Sequence, residues 1–266
     1  MLALLIATIP APPFSTISLG AFSIHIYGIC IAAAILVGLK IAERGWMARG
    51  GNRDDVATIA LLAVPAGIIG ARLFHVVTDF RLYKDNPWKA LAVWDGGLGI
   101  WGGVAAGVAA GVAYSRHRKL DTARLLDVAA PAIVIAQAIG RLGNYFNQEL
   151  FGRPTNLAWA LNVDPEFRPE QHMAASTFHP TFLYESLANL AIGIALIVLA
   201  RKRRWAAGRI FALYVLAYCC VRILIEQLRI DPANTIFGFR LNTWTALLGI
   251  AISAFFVVRL RFSHAA

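Results

Sequence analysis

Charge is what this sequence has least of. Only 15% of its residues are Asp, Glu, Lys or Arg, whereas 58% are hydrophobic and the mean hydropathy is +0.62. A water-soluble domain carries about a quarter charged residues, so that class is excluded. Acid is scarcer than base, 15 residues against 25, for a net charge of +10. Cysteine is nearly missing. Cys30, Cys219 and Cys220 fall in apolar stretches without metal-ligand spacing, and adjacent cysteines rarely bridge, so they read as small packing residues. There is no P-loop, no Gly-x-Ser-x-Gly and no metal-ligand set, so neither cofactor nor metal is expected. No basic stretch precedes the first apolar one, which argues against a cleaved signal peptide. Met1–Pro13, broken by Pro10, Pro12 and Pro13, reads as an amphipathic or interfacial segment within an outer arm of residues 1–19.

What is there is apolar length. About 20 apolar residues cross a bilayer. Seven stretches qualify, at roughly 20–42, 55–76, 91–113, 125–143, 180–200, 210–228 and 242–258. They are continuous and lack the alternation of outer-membrane strands, so an all-α polytopic membrane protein forming one integral domain is expected. The basic excess could suggest nucleic acid, but its distribution follows topology. With the amino terminus outside, 14 of the 25 basic residues fall in inner loops and 7 in outer loops. The positive-inside rule then places the amino terminus outside and the carboxyl terminus in the cytoplasm, with anionic lipid as the partner of the charge. No nucleic-acid partner is expected.

The costly residues sit within the spans. Ile139–Gly152 reads Ile-Gly-Arg-Leu-Gly-Asn-Tyr-Phe-Asn-Gln-Glu-Leu-Phe-Gly and follows the apolar run Leu125–Ala138. Arg141, Asn144 and Asn147 recur every three residues and share a helical face, with Glu149 just beyond. An ionised group at membrane depth costs a few kcal/mol or more and marks a site by default. Span one carries His25 and Tyr27 near its start. Arg72 and His75 lie near the end of span two, where a snorkelling arginine is the competing reading. Span three opens Trp94-Asp95-Gly96-Gly97-Leu98-Gly99, too rich in glycine for a firm helix. It suits either an anion-accepting backbone or close helix packing. His179, Tyr184 and Glu185 open span five. Arg222, Glu226 and Arg229 form one stripe on span six, and a structural ion pair of the first two is the sober alternative. Asp127 is the exception at the inner end of span four. The loop at about 145–178, with Trp159, Leu161 and Phe167, reads as a small packed cap.

On this topology the polar residues of six spans lie in the outer leaflet, which predicts one cavity open on that side. Arginines at that depth suit a phosphate, since guanidinium binds it bidentately and keeps its charge. In that leaflet the phosphate belongs to a phospholipid. Such a clamp also stabilises phosphate as a leaving group.

These residues resemble the bacterial prolipoprotein diacylglyceryl transferase family. The likeness rests on Gly140-Arg141-Leu142-Gly143-Asn144-Tyr145-Phe146-Asn147-Gln148-Glu149 with Gly152. It extends to His25-x-Tyr27-Gly28, Gly70-Ala71-Arg72, Asp95-Gly96-Gly97, His179-Pro180-Thr181-x-x-Tyr184-Glu185 and Arg222-x-x-x-Glu226-x-x-Arg229-x-Asp231. These motifs stand in order across nearly the whole chain. The resemblance implies seven helices in the bacterial inner membrane, a periplasmic amino terminus and head, and lipoprotein maturation as the role. It implies transfer of the diacylglyceryl group of phosphatidylglycerol to the lipobox cysteine of a prolipoprotein, with a thioether formed and glycerol phosphate released. Carried over, Arg141 and Arg222 are the arginines expected to be essential. Tyr27, Asn144 and Gly152 are expected site residues, and Arg72, Asn147, Glu226 and Arg229 are expected around the headgroup and thiol. Many relatives carry a His-Gly-Gly in span three that is proposed as the thiol base. This chain reads Trp101-Gly102-Gly103 there, so His25, His179 or Glu149 is the expected proton acceptor. A single chain is expected to act alone. The alternative reading is a phospholipid or anion transporter with an arginine cavity. It would call for internal repeats and midplane polar residues, and neither is found in the sequence.

Overall fold

A computed structural model describes residues 8–20, 22–93, 96–202 and 205–260. Among these are seven α-helices: α1 Ile26–Met47, α2 Arg53–Thr78, α3 Ile100–His117, α4 Thr122–Phe146, α5 Thr181–Lys202, α6 Arg209–Leu228 and α7 Leu241–Arg259. All except α3 are long and apolar enough to cross a membrane. α3 is rich in glycine and alanine and ends Tyr114-Ser115-Arg116-His117. Pro65 and Pro131 lie inside α2 and α4, a placement common in membrane helices, where neighbours re-satisfy the freed carbonyl. The chain divides into two compact units, residues 1–41 with 126–266, and residues 42–125.

In the larger unit, Ala130 and Val134 of α4 pack with Leu196 of α5 and Ile210 and Tyr214 of α6. Small residues permit close approach. A Cβ on Gly193 would fall 2.4 Å from Ile135, and one on Gly249 would fall 2.6 Å from Cys219 Sγ, so this cysteine does serve packing. α6 is capped from another helix. Buried Asp127 accepts from Gly208 N at 2.8 Å and Phe211 N at 2.9 Å. A carboxylate on orphan amide donors at a helix start is favourable, which explains the lone acid of span four.

Two readings are corrected near the amino terminus. Span one does not begin at residue 20. Thr16–Leu19 (β1) and Phe22–His25 (β2) form an antiparallel hairpin around Gly20, whose φ is +62°, and the helix starts at Ile26. The alternation Phe22-Ser23-Ile24-His25 is a strand pattern that an apolar count conceals. Nor is the segment before it wholly interfacial. Residues 1–7 lie outside the described residues, but Ile9 bridges Leu161 in parallel, with N–H···O bonds of 2.8 and 2.9 Å.

That segment docks on a small folded element between α4 and α5. Leu161–Asn162 (β3) pairs antiparallel with Thr177–Phe178 (β4). Phe151, Leu161, Val163, Phe178 and Phe182 form its buried cluster, with Ile9 packed against it. A last hairpin, Thr235–Ile236 (β5) with Phe239–Arg240 (β6), leads into α7.

In the smaller unit, α2 and α3 meet backbone to backbone. A Cβ on Gly102 would lie 2.2 Å from Gly70 O, so the glycines of α3 serve close packing. The third span also begins later than the sequence suggests. Gly96 and Gly97 have φ of +81° and +70°, and helix starts only at Ile100. Trp94 and Asp95 lie outside the described residues.

Candidate functional site

The site is built from helix ends in the larger unit. Arg141 lies near the end of α4, Glu185 near the start of α5, Arg222 and Glu226 near the end of α6, and Asn242 at the start of α7. Glu185 is buried and receives both arginines: Arg141 Nη2 donates to Oε1 at 2.8 Å and Arg222 Nη1 to Oε2 at 3.3 Å. Arg222 Nη2 also lies 2.7 Å from Glu226 Oε2, an ion pair without an aligned hydrogen bond. Glu226 Oε1 accepts from Arg240 Nε at 2.5 Å and Asn242 Nδ2 at 3.2 Å. Arg240 Nη2 continues to Asp231 Oδ2 at 2.9 Å, and Arg229 Nε closes on Asp231 Oδ1 at 2.6 Å. Four guanidiniums thus alternate with three carboxylates along one chain of contacts. Buried charges persist only when paired and hydrogen-bonded in this way.

Glu149 is positioned from α4. Asn144 Nδ2 and Asn147 Nδ2 both donate to its Oε1, at 2.8 and 3.0 Å, and Arg141 Nη1 lies 3.5 Å from Asn144 Oδ1. The flanking Gln148 and Leu150 have φ of +48° and +56°, a conformation costing roughly 1–2 kcal/mol per non-glycine residue. Gln148 is held there by Asp164, accepting from its N–H at 2.8 Å and donating to Oδ2 at 2.6 Å. Thr181 Oγ1 donates to Leu150 O at 2.5 Å. Glu149 also borders a cavity of about 630 Å³ shared with Phe146, Phe167 and Asp231.

The other expected residues are distributed as follows. Tyr27 packs on Gly143, whose Cβ would lie 2.7 Å from its ring, and it is within electrostatic reach of Glu149 and Arg141. Gly152 bridges Arg229 and donates to His179 O at 2.8 Å. A Cβ there would lie 2.9 Å from Leu228 O, so a side chain would push the strand away from the end of α6. His179 Nδ1 is 3.2 Å from Tyr184 Oη, which accepts from Trp159 Nε1 at 2.8 Å. Burial and the Arg153 charge lower the His179 pKa, so the ring is neutral near pH 7. His25 is exposed at the end of β2, opposite Thr16. Arg72 belongs to the smaller unit. There its guanidinium donates to Gly96 O at 2.5 Å, Gly97 O at 3.0 Å, Ala90 O at 2.9 Å and Lys89 O. Trp101 stands half-exposed in the first turn of α3.

Three participants are not marked out as site residues by the sequence alone. Glu185 stands in the sequence as a polar residue opening span five and as the last residue of a family motif, with no role attached, yet it is the hub. Arg240 lies outside every expected span, yet β6 returns it to Glu226. Tyr218, one turn before Arg222, lies within electrostatic reach of Arg141, Glu185 and Arg222. The four-residue spacing Tyr218, Arg222, Glu226 was the available signal.

Asp231 makes the network sensitive to acid. Burial raises its carboxyl pKa, but the hydrogen bond and charge of Arg229, with those of Arg240, leave it net below the ordinary value of 3.8. A carboxyl depressed on folding stabilises above its unfolded pKa, and that stability is lost as pH falls through the folded value. Asp231→Asn is therefore expected to be less stable than wild type at pH 7, by on the order of 1 kcal/mol. The two thermal unfolding curves in detergent should converge as pH falls below the ordinary carboxyl value of 3.8 and through the lower folded one. A difference that persists unchanged in acid would assign the effect to shape instead of charge.

A polytopic membrane protein with a buried arginine–carboxylate array at its helix ends is the class that fold and site define. The chain belongs to the prolipoprotein diacylglyceryl transferase family, whose model matches residues 15–259. It is 44% identical to phosphatidylglycerol–prolipoprotein diacylglyceryl transferase 2 of Streptomyces coelicolor over 246 residues, covering 91% of this chain and 78% of the relative. The like-named protein of Cutibacterium acnes is 46% identical over 244 residues, with 91% and 82% covered. That of Paenarthrobacter aurescens is 44% identical over 264 residues, with 94% and 83% covered.

Proposed function

We propose that this chain transfers the diacylglyceryl group of phosphatidylglycerol to the cysteine thiol of a prolipoprotein lipobox. The observation that carries the reading is the meeting of Arg141 and Arg222 on one buried carboxylate, Glu185. A guanidinium has five donors in a fixed fork. An arginine held through one edge by a carboxylate can present another edge to a phosphodiester. In the reaction the cysteine sulfur bonds to the glyceryl carbon while the bond from that carbon to the phosphate oxygen breaks. Glycerol phosphate leaves with the electron pair, and the thiol proton passes to a base. Charge grows on the departing phosphate, where Arg141 and Arg222 stabilise it.

Glu149 is the proton acceptor that the geometry favours. It is steered by Asn144 and Asn147 and adjacent to Arg141 through Asn144. A thiol of ordinary pKa near about 8.5 needs only modest help beside cationic groups. His179 is neutral but engaged with Tyr184, and His25 is exposed on the hairpin. Tyr27, Asn144, Asn147 and Gly152 shape the thiol side of the site, Glu226 braces Arg222 directly, and Arg229 supports it further along through Asp231 and Arg240. Arg72 orders its own loop. The site faces the periplasm, with the element between α4 and α5 as a cap on that side, the carboxyl terminus in the cytoplasm, and one chain sufficient.

The test is the mass of a lipobox peptide after incubation with purified protein and phosphatidylglycerol. A diacylglyceryl adduct on the cysteine is expected. Movement of lipid without covalent product would favour a transporter instead. Glu149→Gln is expected to slow transfer about 10²–10⁴-fold at pH 7, with partial recovery as pH approaches the thiol pKa. An unimpaired Glu149→Gln would remove it as the base.

A further inference from the structure

Between α2 and α3, the chain makes two 3₁₀ turns, Phe80–Leu82 and Pro87–Leu91. Their apolar side chains point outward: Phe80 is 63% exposed, Leu82 67%, Trp88 79% and Leu91 66%. Arg81, Lys84 and Lys89 are interleaved with them and also exposed, against one acid, Asp85. This is not a floppy loop. Buried Arg72 donates to the carbonyls of Lys89, Ala90, Gly96 and Gly97 and stacks on buried Tyr83, 5.2 Å from the ring centroid. His75 pairs with Asp79 at 3.1 Å and meets Tyr83 edge-on. A Cβ on Gly97 would lie 2.6 Å from the His75 ring, so the return strand is closely fitted. Four large apolar groups are thus held outward by a framework that spends a buried arginine on holding them.

In water such exposure is unfavourable. At a membrane–water interface it is favourable, above all for tryptophan. The apolar surface is also continuous with a candidate span, since exposed Leu73, Phe74 and Val77 on the last turns of α2 lead into Phe80. Basic residues alternating with hydrocarbon are the pattern by which interfacial elements select anionic headgroups.

We propose that residues 80–91 form a rigid foot that docks on the anionic phospholipid headgroups of the bilayer, seated by Trp88 and Leu91 and made selective by Arg81, Lys84 and Lys89. This assignment stands whether or not the transfer reading holds. If both hold, the foot enriches an anionic lipid substrate beside the enzyme.

The test uses full-length protein carrying 5-fluorotryptophan, in nanodiscs of zwitterionic phospholipid. The resonance missing from Trp88→Phe identifies Trp88 among the seven tryptophans. Nitroxide-labelled lipid is then added with either an anionic or a zwitterionic headgroup. The Trp88 resonance should broaden with both, by roughly fivefold more with the anionic lipid, a preference lost in Arg81→Gln/Lys84→Gln/Lys89→Gln and at high salt. Equal broadening by both lipids overturns the proposal. So does a Trp88 resonance broadened only by a water-soluble relaxation agent. The other tryptophan resonances report whether the triple variant keeps its fold. Should they move, the wild-type ratio at low and high salt decides by itself.

Discussion

Glu185→Ala is expected to lower the unfolding free energy by about 3–5 kcal/mol and to reduce transfer at least 100-fold. The carboxylate is almost wholly buried and takes hydrogen bonds from arginines on two other helices. Removing it leaves two cations in a poorly solvated place with their shared counterion gone. Breaking a buried pair from one side is costly for that reason, whatever the pair is worth as a whole. Glu185→Gln keeps the shape and one acceptor oxygen, so it should fall between wild type and alanine in both readouts. Denaturant titration in mixed micelles, beside a transfer assay, measures the two effects separately. A Glu185→Ala protein of wild-type stability would mean that Arg141 and Arg222 find water or other partners, and the pre-organised clamp would be lost.

Arg222→Ala is expected to lower the transfer rate about 10²–10³-fold. Arg222 touches two carboxylates, Glu185 and Glu226, and Glu226 is in turn held by Arg240. Lysine should not rescue it. A point charge on a flexible stem cannot span both carboxylates and still present a flat edge to a phosphate. Arg141→Ala leaves Glu185 paired with Arg222 and should destabilise less, while slowing transfer comparably. The double variant should be little worse than either single one, because residues that act as a unit are not additive. Single-turnover rates of the three variants test this. Strict additivity would mean that the two arginines act on different steps.

The sequence carried the helices well because apolar length is a local property. α2, α5, α6 and α7 lie within about two residues of the expected spans and α4 within about three. It misplaced the two starts that a hydropathy count cannot see. Residues 16–25 are as apolar as a helix but alternate as strands, and the glycines at 96 and 97 adopt left-handed φ ahead of α3. The site was legible where it is periodic. Arg222 and Glu226 are one turn apart, and their ion pair could be read from spacing. Glu185 as hub and Arg240 as outer partner could not, since they reach Arg141 and Glu226 across 44 and 14 residues. Helical spacing says nothing of which face a neighbouring helix presents. Arg72 makes the same point differently. Its place near the end of span two leaves a snorkelling side chain open, but it is buried, and its partners are backbone carbonyls that no side-chain pattern announces.

The central claim is that Arg141 and Arg222, joined through Glu185, stabilise the phosphate that departs. It is tested most directly by following glycerol phosphate release from phosphatidylglycerol in detergent, with a lipobox peptide or its Cys→Ser counterpart. The account predicts release by wild type only with the cysteine peptide, and near-complete loss in Arg141→Ala and Arg222→Ala proteins that still bind the peptide. Release at undiminished rate from either folded variant would contradict it.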